Sequence, residues 1–359
     1  MEGSGARGSR KRIRPRTAAL GVISVILLLA MLWLADPGRL VSIISGANLA
    51  IIGVVLLLYF ANLLTKALRW FFLLNSSGHK TSFKTALSFV IVGLSVNSVT
   101  PGRIAGEPVR AYMLREKSGL HFGSGLATVF TERVMDLLVL ALFAIIGLAL
   151  ILTFLPFAGG LFLAIFIILV VLLLVAVVYL ALHLSTLDRV ANWFVRTTSR
   201  IVKRPLPKWE KAVSSTINNF SDGFKVILRS KRTTLTTFVL TVIVWLNEAT
   251  RVFLVMYALV PESAPFVGFV LIASSLATLL GSFVPGGTFN VALIAMVFNA
   301  SGISISLATT AGLLMTLTSI WILVPLGIVI VVRNLANSKS AEEKKLVALE
   351  MAKPSEIKD

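Results

Sequence analysis

The sequence predicts an all-α polytopic membrane protein with about six transmembrane helices and two Pro-Gly re-entrant helical hairpins in an inverted repeat. Three observations lead there: the composition, the lengths of the apolar segments, and the positions of the basic residues. Hydrophobic residues make up 57% of the 359 positions and charged residues only 14%, against about 45–50% and about 25% in ordinary globular domains. A soluble fold of this length cannot bury so much apolar surface, whereas lipid accepts it.

The elements follow in order. Residues 1–17 carry Arg10, Lys11, Arg12, Arg14 and Arg16 and read as a basic cytoplasmic N-terminus. The run Ala18 to Ala35 is expected to stay as an uncleaved first span. Its best cleavage candidate, Trp33-Leu34-Ala35, puts a bulky residue where a small one is needed. A crossing helix needs about 20 apolar residues. Six segments meet that: roughly 18–35, 48–74, 122–155, 160–184, 233–260 and 304–332. Two more apolar stretches, roughly 83–113 and 266–299, are interrupted by Thr100-Pro101-Gly102-Arg103 and Val284-Pro285-Gly286-Gly287. Proline removes a backbone donor and glycine permits positive φ, so each stretch should form two half-helices about an irregular apex, or a kinked helix.

The net charge of +18 would point to nucleic acid in a soluble protein. Here the basic residues lie in blocks between apolar spans, without an RNA-binding or zinc signature, so nucleic acid is not expected as a partner. With the N-terminus in the cytoplasm and each broken stretch returning to its own side, the inner segments hold Lys80, Lys84, Arg110, Arg115, Lys117, the 185–232 loop and the tail. The outer loops hold Arg39. This is the asymmetry of a multi-pass cell-membrane protein with both termini cytoplasmic. A transmembrane domain at 18–333 then contains a first repeat at 48–155, a cytoplasmic amphipathic loop at 185–232 and a second repeat at 233–332 in the opposite orientation. The polar cytoplasmic tail is 334–359. Such repeats, with broken helices meeting near the midplane, are a recurring transporter plan.

In the loop, Trp209, Val213, Ile217, Phe220, Phe224 and Ile227 recur at helical spacing. The helix either lies on anionic inner-leaflet headgroups or packs on the protein's own cytoplasmic face.

Ionisable residues inside spans are costly unless paired or hydrated, and so mark function. Asn97, Thr100, Arg103, Glu107 and Arg110 surround the first apex, with positions 103, 107 and 110 at i, i+4 and i+7. Glu107 can pair with one arginine and leave the other for a phosphate or carboxylate, aided by free N–H groups beside Pro101-Gly102. The plainer alternative is a salt bridge holding the hairpin. On the next span Glu132 and Asp136 share a face while Arg133 points about 100° away. Static pairing with the hairpin arginines is the simpler expectation, and a proton-coupling pair the other. A third cluster, Asn247, Glu248 and Arg251, lies deep in span 233–260, where Glu248 and Arg251 can neutralise each other. Lys66 and Arg69 are expected to snorkel to headgroups.

The chain has no cysteine and three histidines, which argues against disulfides, thiolate chemistry and a metal site. No nucleophile–base set and no phosphate-binding glycine loop appears, so neither an enzyme nor a cofactor is expected. A homo-oligomer is compatible with the sequence.

Asn97-Ser98-Val99-Thr100-Pro101-Gly102-Arg103-Ile104-Ala105-Gly106-Glu107-Pro108-Val109-Arg110, followed by Ala127-Thr128-Val129-Phe130-Thr131-Glu132-Arg133-Val134-Met135-Asp136, resembles the lysylphosphatidylglycerol synthase transmembrane region. This family is also called flippase-like or UPF0104. Pro285-Gly286-Gly287 is similar to its second turn, and the likeness covers about 20 to 335. The resemblance implies a polytopic flippase-like fold. It also implies carriage of a phospholipid between leaflets or a part in polyprenyl-phosphate-linked sugar pathways. Two features depart from the family. About 25 polar residues follow the last span where the full synthase has an aminoacyl-transferase domain, so lipid lysylation is not expected. The second turn continues with Phe289 and Ala292 where a glycine and a glutamate are common, which shifts the expected headgroup site to the first hairpin. The leading expectation is a translocase of a phospholipid or polyprenyl-phosphate-linked headgroup. The alternatives are an accessory or enzymatic component of such a pathway, and a secondary transporter of a small polar solute.

Overall fold

The computed structural model describes residues 45–76, 78, 81–100, 104–151, 207–260, 267–280 and 287–333, with isolated positions between 161 and 193. The expected first span, most of the 160–184 span, both polar termini and the Pro-Gly apices (Pro101, Gly102, Arg103, Pro285, Gly286) lie outside the described residues. In chain order the helices are α1 (Leu49–Ser76), α2 (Phe83–Val99), α3 (Gly106–Ser118), α4 (Phe122–Ile151), α5 (Pro207–Arg229), α6 (Lys231–Leu259), α7 (Val267–Leu279), α8 (Thr288–Ala300) and α9 (Ile305–Leu317). After a turn at Thr318 and Ser319 the helix resumes over 320–333. Among the described residues there is no strand. Four segments are long and apolar enough to cross a membrane: α1, α4, α6 and Ile305–Arg333. They carry exposed apolar side chains such as Leu57, Ile146, Leu246 and Val329, a surface suited to lipid rather than water.

Local chemistry sets the boundaries. Serines at positions 82, 230 and 304 each accept a hydrogen bond from the backbone N–H three residues on, capping α2, α6 and α9. Gly119 ends α3 at φ 69°, its N–H donating to the Arg115 carbonyl; a left-handed residue at that place is one glycine adopts without strain. Asn97 joins α2 to α3. Its Oδ1 accepts from the Gly106 N–H at 2.7 Å, satisfying a donor that the start of α3 would otherwise leave open. Gly106 itself lies so close to α2 that a Cβ there would collide with the Gly93 carbonyl.

Each broken stretch is thus two short helices packed on each other, α2 on α3 and α7 on α8. The contacts α1–α2, α2–α3 and α3–α4 recur as α6–α7, α7–α8 and α8–α9, and α1 crosses α6. The two sets also exchange contacts in matching fashion. Ser95 of α2 donates to the Leu323 carbonyl at 2.9 Å, and Ser275 of α7 donates to the Leu140 carbonyl at 3.2 Å. Small residues let the backbones approach at corresponding places: Gly147 of α4 lies against Gly268 of α7, and Gly327 lies against Ser95 of α2.

The amphipathic helix α5 packs along α4, so its apolar face is covered by protein. Ile217, Phe224 and Ile227 are buried. The rings of Phe220 and Phe224 stand edge-on to Phe130 at 5.1 and 5.4 Å. The side chain of Trp209 lies outside the described residues.

Replacing Gly106 with alanine should lower stability by about 1–3 kcal/mol, since the new methyl group must displace backbone. Gly53→Ala, where a Cβ meets nothing within 4 Å, should instead gain about 0.5–1 kcal/mol from helix propensity. Thermal unfolding of the two purified variants in one detergent checks the contrast.

Candidate functional site: a charged cavity

The polar residues of the apolar spans find one another. Glu132 and Asp136, one turn apart on α4, are both buried and face the guanidinium of Arg69 on α1. Arg69 donates from Nε to Glu132 Oε1 at 3.2 Å and from Nη1 to Asp136 Oδ1 at 2.6 Å, with Thr241 Oγ1 of α6 accepting at 3.0 Å. Arg110 of α3 comes from the other side, its Nη2 2.7 Å from Glu132 Oε2. The Arg110 guanidinium stacks 4.1 Å above the Trp70 ring, whose indole N–H donates to Thr128 at 3.0 Å. Trp245 of α6 donates to Asp136 at 2.9 Å. Two carboxylates that would repel each other are therefore held by cations and donors from three other helices.

Beside this core, Glu107 accepts from Asn97 Nδ2 at 3.1 Å and from Arg133 Nε at 2.7 Å. Arg133, with 43% of its side chain exposed, also reaches Asp136 Oδ2 at 3.6 Å. On α6, Arg251 is fully buried, bonded to Glu248 at 2.9 Å and to the Thr318 carbonyl at 3.3 Å. That carbonyl belongs to the turn interrupting the last span, so the break supplies a buried acceptor. The Arg251 guanidinium also lies 4.9 Å from the Tyr59 ring centroid. Asn62 links the halves, donating to the Val244 carbonyl at 3.0 Å and to Asn247 Oδ1 at 3.2 Å.

These groups surround a cavity of about 600 Å³ to which each of the helices α1 to α9 contributes. That volume falls in the range of about 300–1,000 Å³ typical of small-molecule sites. Lys66, Glu107, Arg133, Asp136, Glu248 and Arg251 present charge to it, amid apolar residues such as Leu94, Leu137 and Ile294. Among the described residues no cluster of His, Asp and Glu side chains forms a metal site.

Of the residues singled out in the sequence, Asn97, Glu107, Arg110, Glu132, Arg133 and Asp136 come together in one network, and Glu248 and Arg251 pair as expected. Static pairing of Glu132 with a hairpin arginine is also what is seen. Thr100 bonds its own helix at the Val96 carbonyl, 2.8 Å away. Gly287, buried with φ 83°, precedes α8 beside Thr316 and Ile320.

Several expectations are corrected. The expected face of Arg103, Glu107 and Arg110 includes a position outside the described residues, and α3 itself begins at Gly106. Arg110 is not a spare cation but the partner of Glu132, and Glu107 takes its arginine from α4. Arg133 turns into the network rather than away from it. Lys66 and Arg69 do not snorkel: Arg69 is buried at the centre and Lys66 lines the cavity. The sequence held a signal for this, since Tyr59, Asn62, Lys66 and Arg69 lie at i, i+3, i+7 and i+10, a polar stripe along one face of α1.

Residues 18–327 match the family described as the lysylphosphatidylglycerol synthase TM region. A UPF0104 membrane protein of Methanothermobacter thermautotrophicus is 27% identical over 325 residues, covering 88% of this chain and 95% of its own length. Another, from Pyrococcus horikoshii, is 26% identical over 325 residues, covering 87% and 96%. The glycosyltransferase AglD of Haloferax volcanii is 29% identical over 146 residues, which is 38% of this chain and 23% of that one.

Removing one partner of a buried ion network leaves uncompensated charge, so Glu132→Ala should cost about 3–5 kcal/mol. Adding Arg110→Met to that variant should recover part of the loss, because one orphaned guanidinium goes with it. Unfolding midpoints of the single and double variants measure the non-additivity.

Proposed function

This chain belongs to the lysylphosphatidylglycerol synthase TM region family, and we propose that it is a membrane translocase for a polar lipid. It would carry the headgroup of a phospholipid or polyprenyl-phosphate lipid between leaflets while the acyl or prenyl chains stay in the bilayer. The observation that carries this reading is the cavity itself: ionisable side chains lining a space among four apolar spans, reached by both broken helix pairs. Charge is retained at such depth where it is paired and serves a pathway.

The broken pairs act in this reading as re-entrant hairpins of two opposed repeats, which bring backbone breaks to the cavity from both sides. Rocking of one half against the other about the α1–α6 crossing would alternate access to the space. Arg133, half-exposed and shared between Glu107 and Asp136, is the cation able to change partners as a headgroup passes. Arg69 and Arg110, locked to Glu132 and Asp136, hold the wall in shape. The distribution of Lys and Arg supports a cell-membrane location with both termini cytoplasmic. The role needs no covalent step. The match to a relative named a glycosyltransferase favours a second reading, in which the same cavity serves a glycosyl-transfer pathway as an accessory component.

Purified protein in liposomes carrying a fluorescent phospholipid reporter should make inner-leaflet reporter accessible to an external quencher. Glu107→Gln and Asp136→Asn, if still monodisperse, should slow this at least about tenfold, the scale of one lost charged hydrogen bond. Wild-type protein that moves no headgroup under any imposed gradient would sink the translocase reading.

A further inference from the structure

The crossing helices carry the same five-residue pattern. Asn62-Leu63-Leu64-Thr65-Lys66 on α1 and Asn247-Glu248-Ala249-Thr250-Arg251 on α6 match Asn with Asn, Thr with Thr and cation with cation. The structure keeps the equivalence. The two asparagines bond each other across the crossing at 3.2 Å. Thr65 and Thr250 each donate to the carbonyl four residues back, both at 2.8 Å. Lys66 and Arg251 both line the cavity, each beside a ring from the opposite helix. Lys66 Nζ is 5.9 Å from the Trp245 centroid, and Arg251 lies over Tyr59 at 4.9 Å.

One difference breaks the symmetry. Arg251 is neutralised by Glu248 three residues before it, at 2.9 Å, and the position equivalent to Glu248 on α1 is Leu63. Among the described residues Lys66 has no ion-pair partner. Glu248 and Asp136, the carboxylates that line the cavity with it besides Glu107, are each bonded to an arginine. Among the described residues of the cavity and its networks, the four arginines (69, 110, 133, 251) are matched by the four carboxylates (107, 132, 136, 248), and Lys66 is a fifth basic side chain. A cation with no ion-pair partner, on the wall of a cavity whose other charges are matched, is open to an entering anion.

From this we infer that Lys66 is the docking group for a phosphate-ester monoanion, so that the headgroup carried is a net anion and not a cationic aminoacylated one. The inference rests on the cavity being the headgroup site and adds to it the charge of the substrate. An ammonium is suited to the part, since it meets a phosphate as a point charge without a fixed fork geometry.

The test uses the full-length protein in phosphatidylcholine nanodiscs, with binding of phosphatidylglycerol, lysyl-phosphatidylglycerol and soluble glycerophosphoglycerol measured for each variant. Wild type should prefer phosphatidylglycerol over the lysyl lipid. Lys66→Gln should lose at least about tenfold of that affinity, the scale of one charged contact. Leu63→Glu, which gives α1 the acid that α6 has, should abolish the preference for the anion. Lys231→Gln, outside the cavity, should bind as wild type. Phosphatidylglycerol affinity unchanged in a folded Lys66→Gln protein overturns the inference, as does wild type that prefers the lysyl lipid or binds neither lipid nor soluble ester. Equal competition by glycerophosphoglycerol upholds the anion site but counts against the lipid reading. Reporter transport that persists without dependence on Lys66 does the reverse.

Discussion

The carboxylates of Glu132 and Asp136 sit on one face of an otherwise apolar helix, and much of the architecture answers the question of how they are tolerated there. Both are buried, and each would raise the energy of the other. The answer is to draw donors from three different helices: Arg69 from α1, Arg110 from α3, and Trp245 from α6. Ion pairs of this kind contribute little net stability against an apolar alternative, yet breaking one is expensive. What they fix is relative position. The helices so tied are those that wall the cavity, so the shape of that space is inherited from the pairing.

The second constraint is closeness. Helices in lipid gain little from apolar burial against each other and rely on backbone approach and interhelical hydrogen bonds. Gly93 and Gly106 within the first hairpin, Gly147 with Gly268, and Gly327 with Ser95 supply the approach, and the serine-to-carbonyl bonds at Leu323 and Leu140 supply the bonds. These contacts pass from each half to the other. The cavity lies where they meet. Its walls follow the repeat closely, and its charge does not: where α6 carries Glu248, α1 carries Leu63.

Much of this was legible in the sequence. The described spans were visible because hydropathy over a window of about 20 residues is a local property. The two interruptions were visible because Pro-Gly pairs stop helices wherever they occur. The identities of Glu107, Arg110, Glu132, Asp136, Glu248 and Arg251 were visible because charge in an apolar run stands out. Their pairing was not, since Arg69 finds Asp136 across 67 residues and Asn62 finds Val244 across 182. Arg69 was misjudged because a cation near the end of a span ordinarily reaches the headgroups, and only tertiary packing turns it inward. The start of α3 at Gly106 is met by the side chain of Asn97, a contact between two helices that the sequence does not display. The repeated Asn-x-x-Thr-cation pattern was present in the sequence, but its meaning emerged only once α1 and α6 were seen to cross.

The central claim is that a polar, water-reachable space lies among the spans of this protein within the bilayer. The natural absence of cysteine makes single-cysteine labelling free of background. Ser98→Cys and Ser319→Cys would place a thiol on the cavity wall in each half, and Leu57→Cys and Val239→Cys would place one on the outward apolar surface. Reaction with a membrane-impermeant charged thiol reagent should be fast at positions 98 and 319 and negligible at 57 and 239, with the protein held in lipid. Equal protection of all four positions would contradict the account.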